Sequence, residues 1–191
     1  MSSGANYHPA QEKESKTTMP GDSPPRCMPG DQAADIPRGP GSYVLVLWMA
    51  KPCPLAIGSL GRVTLPGGFL LYTGSARGGL RGRLQRYLRR PAHLHWHIDY
   101  LMQAAEILEI WYTESPARLE CVWAGRLRGA GLKAATRHFG SSDCRCPTHL
   151  FHANIRPSPD LLAEPDLRVI TLAIAGDSQR GVAGAPAVPR G

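Results

Sequence analysis

The sequence predicts a small α+β domain in which helices flank a mostly antiparallel sheet with a three-stranded core. Two observations carry the expectation. Apolar runs of strand length alternate with helix-period stretches in the order strand, hairpin, strand, helix, helix, strand, helix. The 21 Gly and 18 Pro among 191 residues exclude a helical bundle, and they crowd toward both ends of the chain. Residues 1–39 carry Ser, Thr, Pro, Gly and scattered charge with almost no large apolar side chain, so a disordered tail is expected there. The domain is expected over 40–152, and 153–191 reads as a Pro/Gly-rich tail with one short strand near Leu167 to Ala175.

The first strand is Tyr43 to Met49, apolar on both alternating faces and therefore suited to the centre of a sheet. Pro52 and Pro54 end it, and Leu55 to Leu65 reads as an inserted hairpin around Gly58 and Gly61. After the Pro66-Gly67-Gly68 turn comes a strand, Phe69 to Thr73, then a small-residue loop, Gly74 to Gly79, opening a helix over Leu80 to Arg90. Pro91 stops that helix. A second helix is expected over His95 to Ala105 and a strand over Ile107 to Tyr112. The third helix is expected to take Ser115 as N-cap and Pro116 as its first residue, with Leu119, Val122, Trp123 and Leu127 as its apolar stripe and Gly129 as its stop.

Composition also bears on location and partners. No stretch approaches the roughly 18 apolar residues that span a bilayer, and the polar start has no charged-then-apolar leader, so a cytoplasmic protein without a membrane partner is expected. Five Cys, an odd number, suit reduced thiols or a metal better than a disulfide framework. The formal charge of +7 is concentrated in residues 40–152, where 14 Lys/Arg face 6 Asp/Glu. An Arg-rich field suits a phosphate-bearing partner because guanidinium grips phosphate oxygens with two parallel hydrogen bonds; a merely soluble basic surface is the plainer alternative.

Several residues are candidates for chemistry. Antiparallel pairing of the first two long strands would bring Tyr43 and Tyr72 together with Gly41 and Gly74. The helix after Tyr72 carries Arg81, Arg83, Arg86, Arg89 and Arg90, with Arg77 just before it, and no acidic residue, whereas a structural surface helix usually mixes signs. Arg83 and Tyr87, one turn apart, lie on a margin of its Leu80/Leu84/Leu88 stripe, while Arg86 and Arg89 face outward like backbone-phosphate contacts. Glu120 sits at the edge of an apolar stripe with no cation at i±3 or i±4, so a distant Arg or a metal must balance it; Mg²⁺ suits a single carboxylate with water around it. His93, His95 and His97 bracket a helix start, with Asp99 at i+4 from His95, and offer a proton carrier or phosphate ligand. Cys144, Cys146 and His149, with His152 nearby, offer the sulfur and nitrogen donors of a structural Zn²⁺ or simply small packed thiols.

Taken in order, Gly41-Ser-Tyr43, Tyr72-Thr-Gly74, Leu80-x-x-Arg83 with Tyr87, and the helical Glu120 resemble the GIY-YIG nuclease superfamily. The Uri-type endonuclease branch is the nearest, through Gly78-Gly-Leu80, His95-Trp-His-Ile-Asp-Tyr-Leu101, Ser142-Asp-Cys-Arg-Cys146 and His149-Leu-Phe151. The resemblance spans about residues 40 to 152. It implies a GIY-YIG-like three-stranded sheet and hydrolysis of DNA phosphodiesters, in repair or processing, with one Mg²⁺ or Mn²⁺. It further implies that Glu120 holds the metal and Tyr43 helps deprotonate the attacking water. Arg83 would stabilise phosphate charge, Tyr72 would position phosphate or water, and Tyr87 would stand where relatives carry His or Tyr. Arg77, Arg81, Arg86, Arg89, Arg90, His95 and His97 would contact the nucleic acid. Three departures accompany it: a long separation between Tyr43 and Tyr72, Ser75 where relatives often carry Lys, and no matching Asn late in the domain, where Ser142 or Asp143 is the nearest candidate. Two rivals stay open: a nucleic-acid-binding module that does not cut, and a zinc-stabilised interaction domain.

Overall fold

Strand β1, Gly41–Met49, is the centre of the sheet, and all of it but Trp48 is buried, as a two-sided apolar run requires. The computed structural model describes residues 36–89 and 93–172. The expectations for residues 1–35, for Arg90 and for the stretch from 173 onward lie outside those residues. β1 pairs antiparallel with β4, Gly68–Ala76, on one side and with β5, Glu106–Glu114, on the other, which gives the expected three-stranded core. The sheet then extends further than expected. β6 (Lys133–Ala134) and β7 (Leu150–Ala153) add beyond β4, and β8 (Arg168–Thr171) adds beyond β5, in the order β6-β7-β4-β1-β5-β8 with every pair antiparallel. The inserted hairpin is present as β2 (Cys53–Ile57) and β3 (Gly61–Leu65).

Helices cover both faces. α1 (Leu80–Arg89) and α2 (His97–Leu101) pack Leu80, Leu84, Tyr87, Ile98 and Leu101 against Tyr43, Leu45, Leu47 and Met49. α3 (Glu120–Gly129) packs Trp123, Ala124 and Leu127 against Val44 and Val46 on the other face. Alternation along β1 thus divides the core in two, with odd residues under α1 and even residues under α3. The expected domain end at His152 falls inside β7; beyond it, Leu162 is buried in the α3-side core and β8 pairs with β5.

Three expected boundaries move, each for a tertiary reason. β4 runs through Gly74, Ser75 and Ala76, expected as loop, because their pairing with Tyr43, Ser42 and Gly41 continues the ladder. α2 is shorter than His95 to Ala105: Asp99 accepts the backbone N–H groups of His95 and Trp96, which fixes a start at Trp96, and Ala104 and Ala105 close on Leu101 by turn bonds. α3 starts at Glu120, not Pro116. Ser115 Oγ accepts from Ala117 N (3.1 Å) in a local turn, and Ser42 Oγ on β1 accepts from Leu119 N (2.9 Å), so the sheet sets the helix start. Val122, expected in the stripe, is 47% exposed, on the flank of α3 away from the sheet.

Candidate functional site

The α1 face of the sheet brings four of the predicted residues together. Tyr43 lies opposite Gly74 in the β1–β4 register, and a Cβ at Gly74 would stand 2.5 Å from the Tyr43 ring and hydroxyl. Glycine is what lets the phenol lie flat against β4. Tyr43 Oη and Tyr87 Oη are hydrogen-bonded at 2.8 Å, and Arg83, one turn before Tyr87 on α1, is electrostatically coupled to it. Tyr72, two residues before Gly74 and on the same face, has its ring 6.4 Å from that of Tyr43. Trp96 completes the group, with the Arg83 guanidinium 5.2 Å from its ring centroid.

Burial sets the electrostatics. Tyr43 and Tyr87 are buried while Tyr72 and Arg83 are half-buried, so the latter two are the ones open to solvent. Burial raises all three phenols, and for Tyr43 the neighbouring Tyr87 and Tyr72 add to the effect. Burial opposes the Arg83 charge, yet Tyr87 and Tyr43 outweigh it and hold the guanidinium more firmly protonated than usual. At neutral pH the cluster is a set of neutral O–H donors beside a fixed cation.

The basic residues divide. Arg77 and Arg89 are exposed, as expected of phosphate contacts. Arg86 is not a free outward cation: it forks onto Asp99 through Nη1 to Oδ1 (2.6 Å) and Nη2 to Oδ2 (2.7 Å). Asp99 is fully buried and also takes two backbone N–H groups, which requires a strong counter-charge. Arg81 donates from Nε to the Ile36 carbonyl (2.7 Å) and so clamps the chain entering β1. His97 Nδ1 accepts from Gly140 N (3.1 Å), a structural clamp rather than an open ligand position. His95 is exposed, its ring edge-on to Trp96.

Glu120 does not join the tyrosines. It is 4% exposed at the first turn of α3, where it accepts from Ser75 Oγ and pairs with Arg118 at 2.7 Å. Ser75 in turn meets Ser42 (2.9 Å), and both serines point to the sheet face opposite Tyr43 and Tyr72. The expectation of no local cation fails because α3 starts at Glu120: Arg118 precedes the helix, where helical i±3 and i±4 spacing does not apply. Arg118 also pairs with Asp143 at 3.0 Å, and that contact chiefly holds the Asp143 carboxyl below its ordinary range. Both Glu120 oxygens are therefore engaged, one by a guanidinium, and the residues present do not fit Mg²⁺ or Mn²⁺ at this carboxylate.

Beside Glu120, the Cys144, Cys146 and His149 block gathers a fourth member. Cys121, Cys144, Cys146 and His149 place their donor atoms within 4.8 Å of one another and are able to hold a metal ion. Cys121 stands on the first turn of α3, His149 is buried just before β7, and His152 is elsewhere, its Nε2 on the Gly67 carbonyl (2.8 Å). Burial first, then the neighbouring thiols, push Cys121 up to about 12; burial also raises Cys146 and lowers His149.

Residues 42–166 match the family described as Domain of unknown function DUF123. The chain belongs to that family. No curated protein matches it, and no solved structure does. The DUF123 match ends four residues beyond Leu162, the buried residue of the α3-side core, and just short of β8.

Three participants in this DUF123 domain escape a reading of the sequence. Cys121 lies 23 positions before Cys144, outside any short motif; the available signal was a three-donor set lacking its fourth ligand. Arg118 is masked by the misplaced helix start. Trp96 is 46% exposed, an indole that packing does not account for, in a segment otherwise notable for its histidines.

Proposed function

We propose that the α1 face binds DNA phosphodiesters and hydrolyses them, making the chain a nuclease of the GIY-YIG, Uri-like kind. The single observation that supports this reading most is the convergence of Tyr43, Tyr72, Tyr87 and Arg83, drawn from two strands and one helix, on one face. The hydrogen-bonded pair of Tyr43 and Tyr87 stands beside the Arg83 guanidinium, and preorganised donors of this sort act where charge grows on phosphate oxygens. Arg83 neutralises that charge and the Tyr72 hydroxyl donates to a non-bridging oxygen. Tyr43 serves as an anchor for Tyr87 through their hydrogen bond. Trp96, stacked on Arg83 and half exposed, offers a platform for an adjacent base. Arg77 and Arg89 extend the basic surface.

One observation favours a second reading, a DNA-binding module that does not cut: the carboxylate that resembles a metal ligand is locked to Arg118 on the opposite face. Both readings are separated by one assay. Wild type, Arg83→Ala, Tyr72→Phe and Glu120→Gln are incubated with labelled duplex, nicked, flapped, branched and single-stranded DNA, with and without Mg²⁺ or Mn²⁺. Cutting that falls about 10²- to 10³-fold in Arg83→Ala supports the nuclease. Salt-sensitive binding without cutting, with a log-log slope near −0.9 per neutralised phosphate, supports the module. Neither cutting nor salt-sensitive binding overturns both.

A further inference from the structure

The segment between β6 and β7 runs from Ala135 to His149 without a helix or strand of its own, a length that compact domains usually stabilise by other means. Its ends are drawn together by His138 N to the Pro147 carbonyl (2.7 Å) and His149 N to the Phe139 carbonyl (2.8 Å). Those bonds turn the segment back on itself and present Cys144, Cys146 and His149 toward Cys121 of α3.

Two of the donor separations match those expected around a tetrahedral ion. With zinc–sulfur bonds of about 2.3 Å and zinc–nitrogen bonds of about 2.05 Å, neighbouring sulfur and nitrogen ligands stand about 3.6 Å apart. Cys121 Sγ and Cys144 Sγ lie 3.7 and 3.5 Å from His149 Nε2. Three sulfurs and one imidazole nitrogen form a soft donor set that selects zinc over magnesium or calcium. Four protein ligands close the coordination shell and leave no position for a substrate.

A second observation points the same way. Among the described residues, three buried side-chain donors have no hydrogen-bond partner: Thr73 Oγ1, Trp123 Nε1 and Ser141 Oγ. Two of them, Thr73 and Ser141, belong to residues bonded through the backbone to these ligands. Thr73 N donates to the His149 carbonyl, and the Ser141 carbonyl accepts from Cys144 N. Metal-bound thiolates accept such donors, whereas buried donors left alone are costly.

We propose that Cys121, Cys144, Cys146 and His149 form a structural zinc site that fastens the β6–β7 segment to the first turn of α3. The site stands on the sheet face opposite the tyrosine cluster, and its existence does not depend on the nuclease reading. Its ligand Cys121 follows Glu120, so the ion also ties down the first turn of α3.

The test uses the full chain purified without chelators. Elemental analysis is expected to find about one zinc per chain. Replacement by Co²⁺ is expected to give the thiolate charge-transfer band and the visible bands of a tetrahedral ion. Cys53→Ser, outside the cluster, retains the zinc; Cys121→Ser loses most of it. Should Cys121→Ser fail to fold, chelator treatment of wild type supplies the second readout: thermal stability falls, Cys121, Cys144 and Cys146 become reactive to a thiol reagent, and added zinc reverses both. Wild type that carries no zinc and shows no tetrahedral spectrum on Co²⁺ titration overturns the site. A folded Cys121→Ser variant with undiminished zinc overturns the four-ligand set.

Discussion

Replacing Asp99 with Ala removes the acceptor of four hydrogen bonds at once: two from the Arg86 fork and one each from the backbone of His95 and Trp96. Each donor stranded in a dry interior costs about 1–3 kcal/mol, and breaking a buried ion pair about 3–5 kcal/mol. Here both figures must be discounted, because Arg86 is 30% exposed and His95 and Trp96 are exposed, so water reaches the stranded groups. A net loss of about 2–3 kcal/mol follows, or about 4–12 °C in Tm for a chain of this size. Urea denaturation at neutral pH measures it. The pH dependence supplies a second check: burial opposes the Asp99 charge, but Arg86 and the two backbone N–H groups outweigh it and hold the carboxyl below its ordinary range. A depressed folded value means that the stabilisation is complete above the unfolded value of about 3.9 and disappears as pH falls through the folded one. The wild-type advantage over Asp99→Ala is therefore constant from neutral pH down to about pH 4 and shrinks below it. A loss under about 1 kcal/mol at neutral pH, or an advantage that shrinks on raising the pH, refutes the reasoning.

Tyr43→Phe removes one end of the 2.8 Å bond to Tyr87 and is expected to cost about 1 kcal/mol by urea denaturation, with weaker DNA binding because Arg83 loses its backing. Gly74→Ala puts a methyl group 2.5 Å from the Tyr43 ring and is expected to cost about 1–3 kcal/mol; Gly78→Ala, which meets nothing within 4 Å, is the neutral control in the same thermal melt. Glu109→Ala strands the indole N–H of fully buried Trp111, bonded at 2.6 Å, and is expected to cost about 1–3 kcal/mol, read together with a shift in tryptophan fluorescence.

Where patterns are local, the sequence carries them well. The two-sided apolar run of β1, the hairpin insertion and the Leu80/Leu84 stripe of α1 all depend on neighbours along the chain, and each forms. Starts decided by another element are not visible in the same way. Ser115 and Pro116 make a sound helix-start signal, yet Ser42, more than seventy residues earlier, accepts the Leu119 N–H and sets the start of α3. Arg86 reads as an outward phosphate contact because nothing within its own helix shows that Asp99 will be buried beneath it.

The candidate site shows the same limit more sharply, because strand parity decides it. Ser42 and Tyr43 are adjacent in sequence and face opposite sides of the sheet, and so do Gly74 and Ser75. Tyr43 and Tyr72 share a parity, so their convergence follows from register alone once the two strands are taken as antiparallel partners. Glu120 has no parity of its own; its side of the sheet follows from α3 packing on Val44 and Val46. That choice brings Glu120 to Ser42 and Ser75, and it also brings Cys121 to Cys144, Cys146 and His149. One helix-packing decision thus takes the carboxylate away from the tyrosines and completes the four-donor cluster. Any account of catalysis on the α1 face must therefore start from Arg83 and the phenols, with Glu120 excluded from its first contacts.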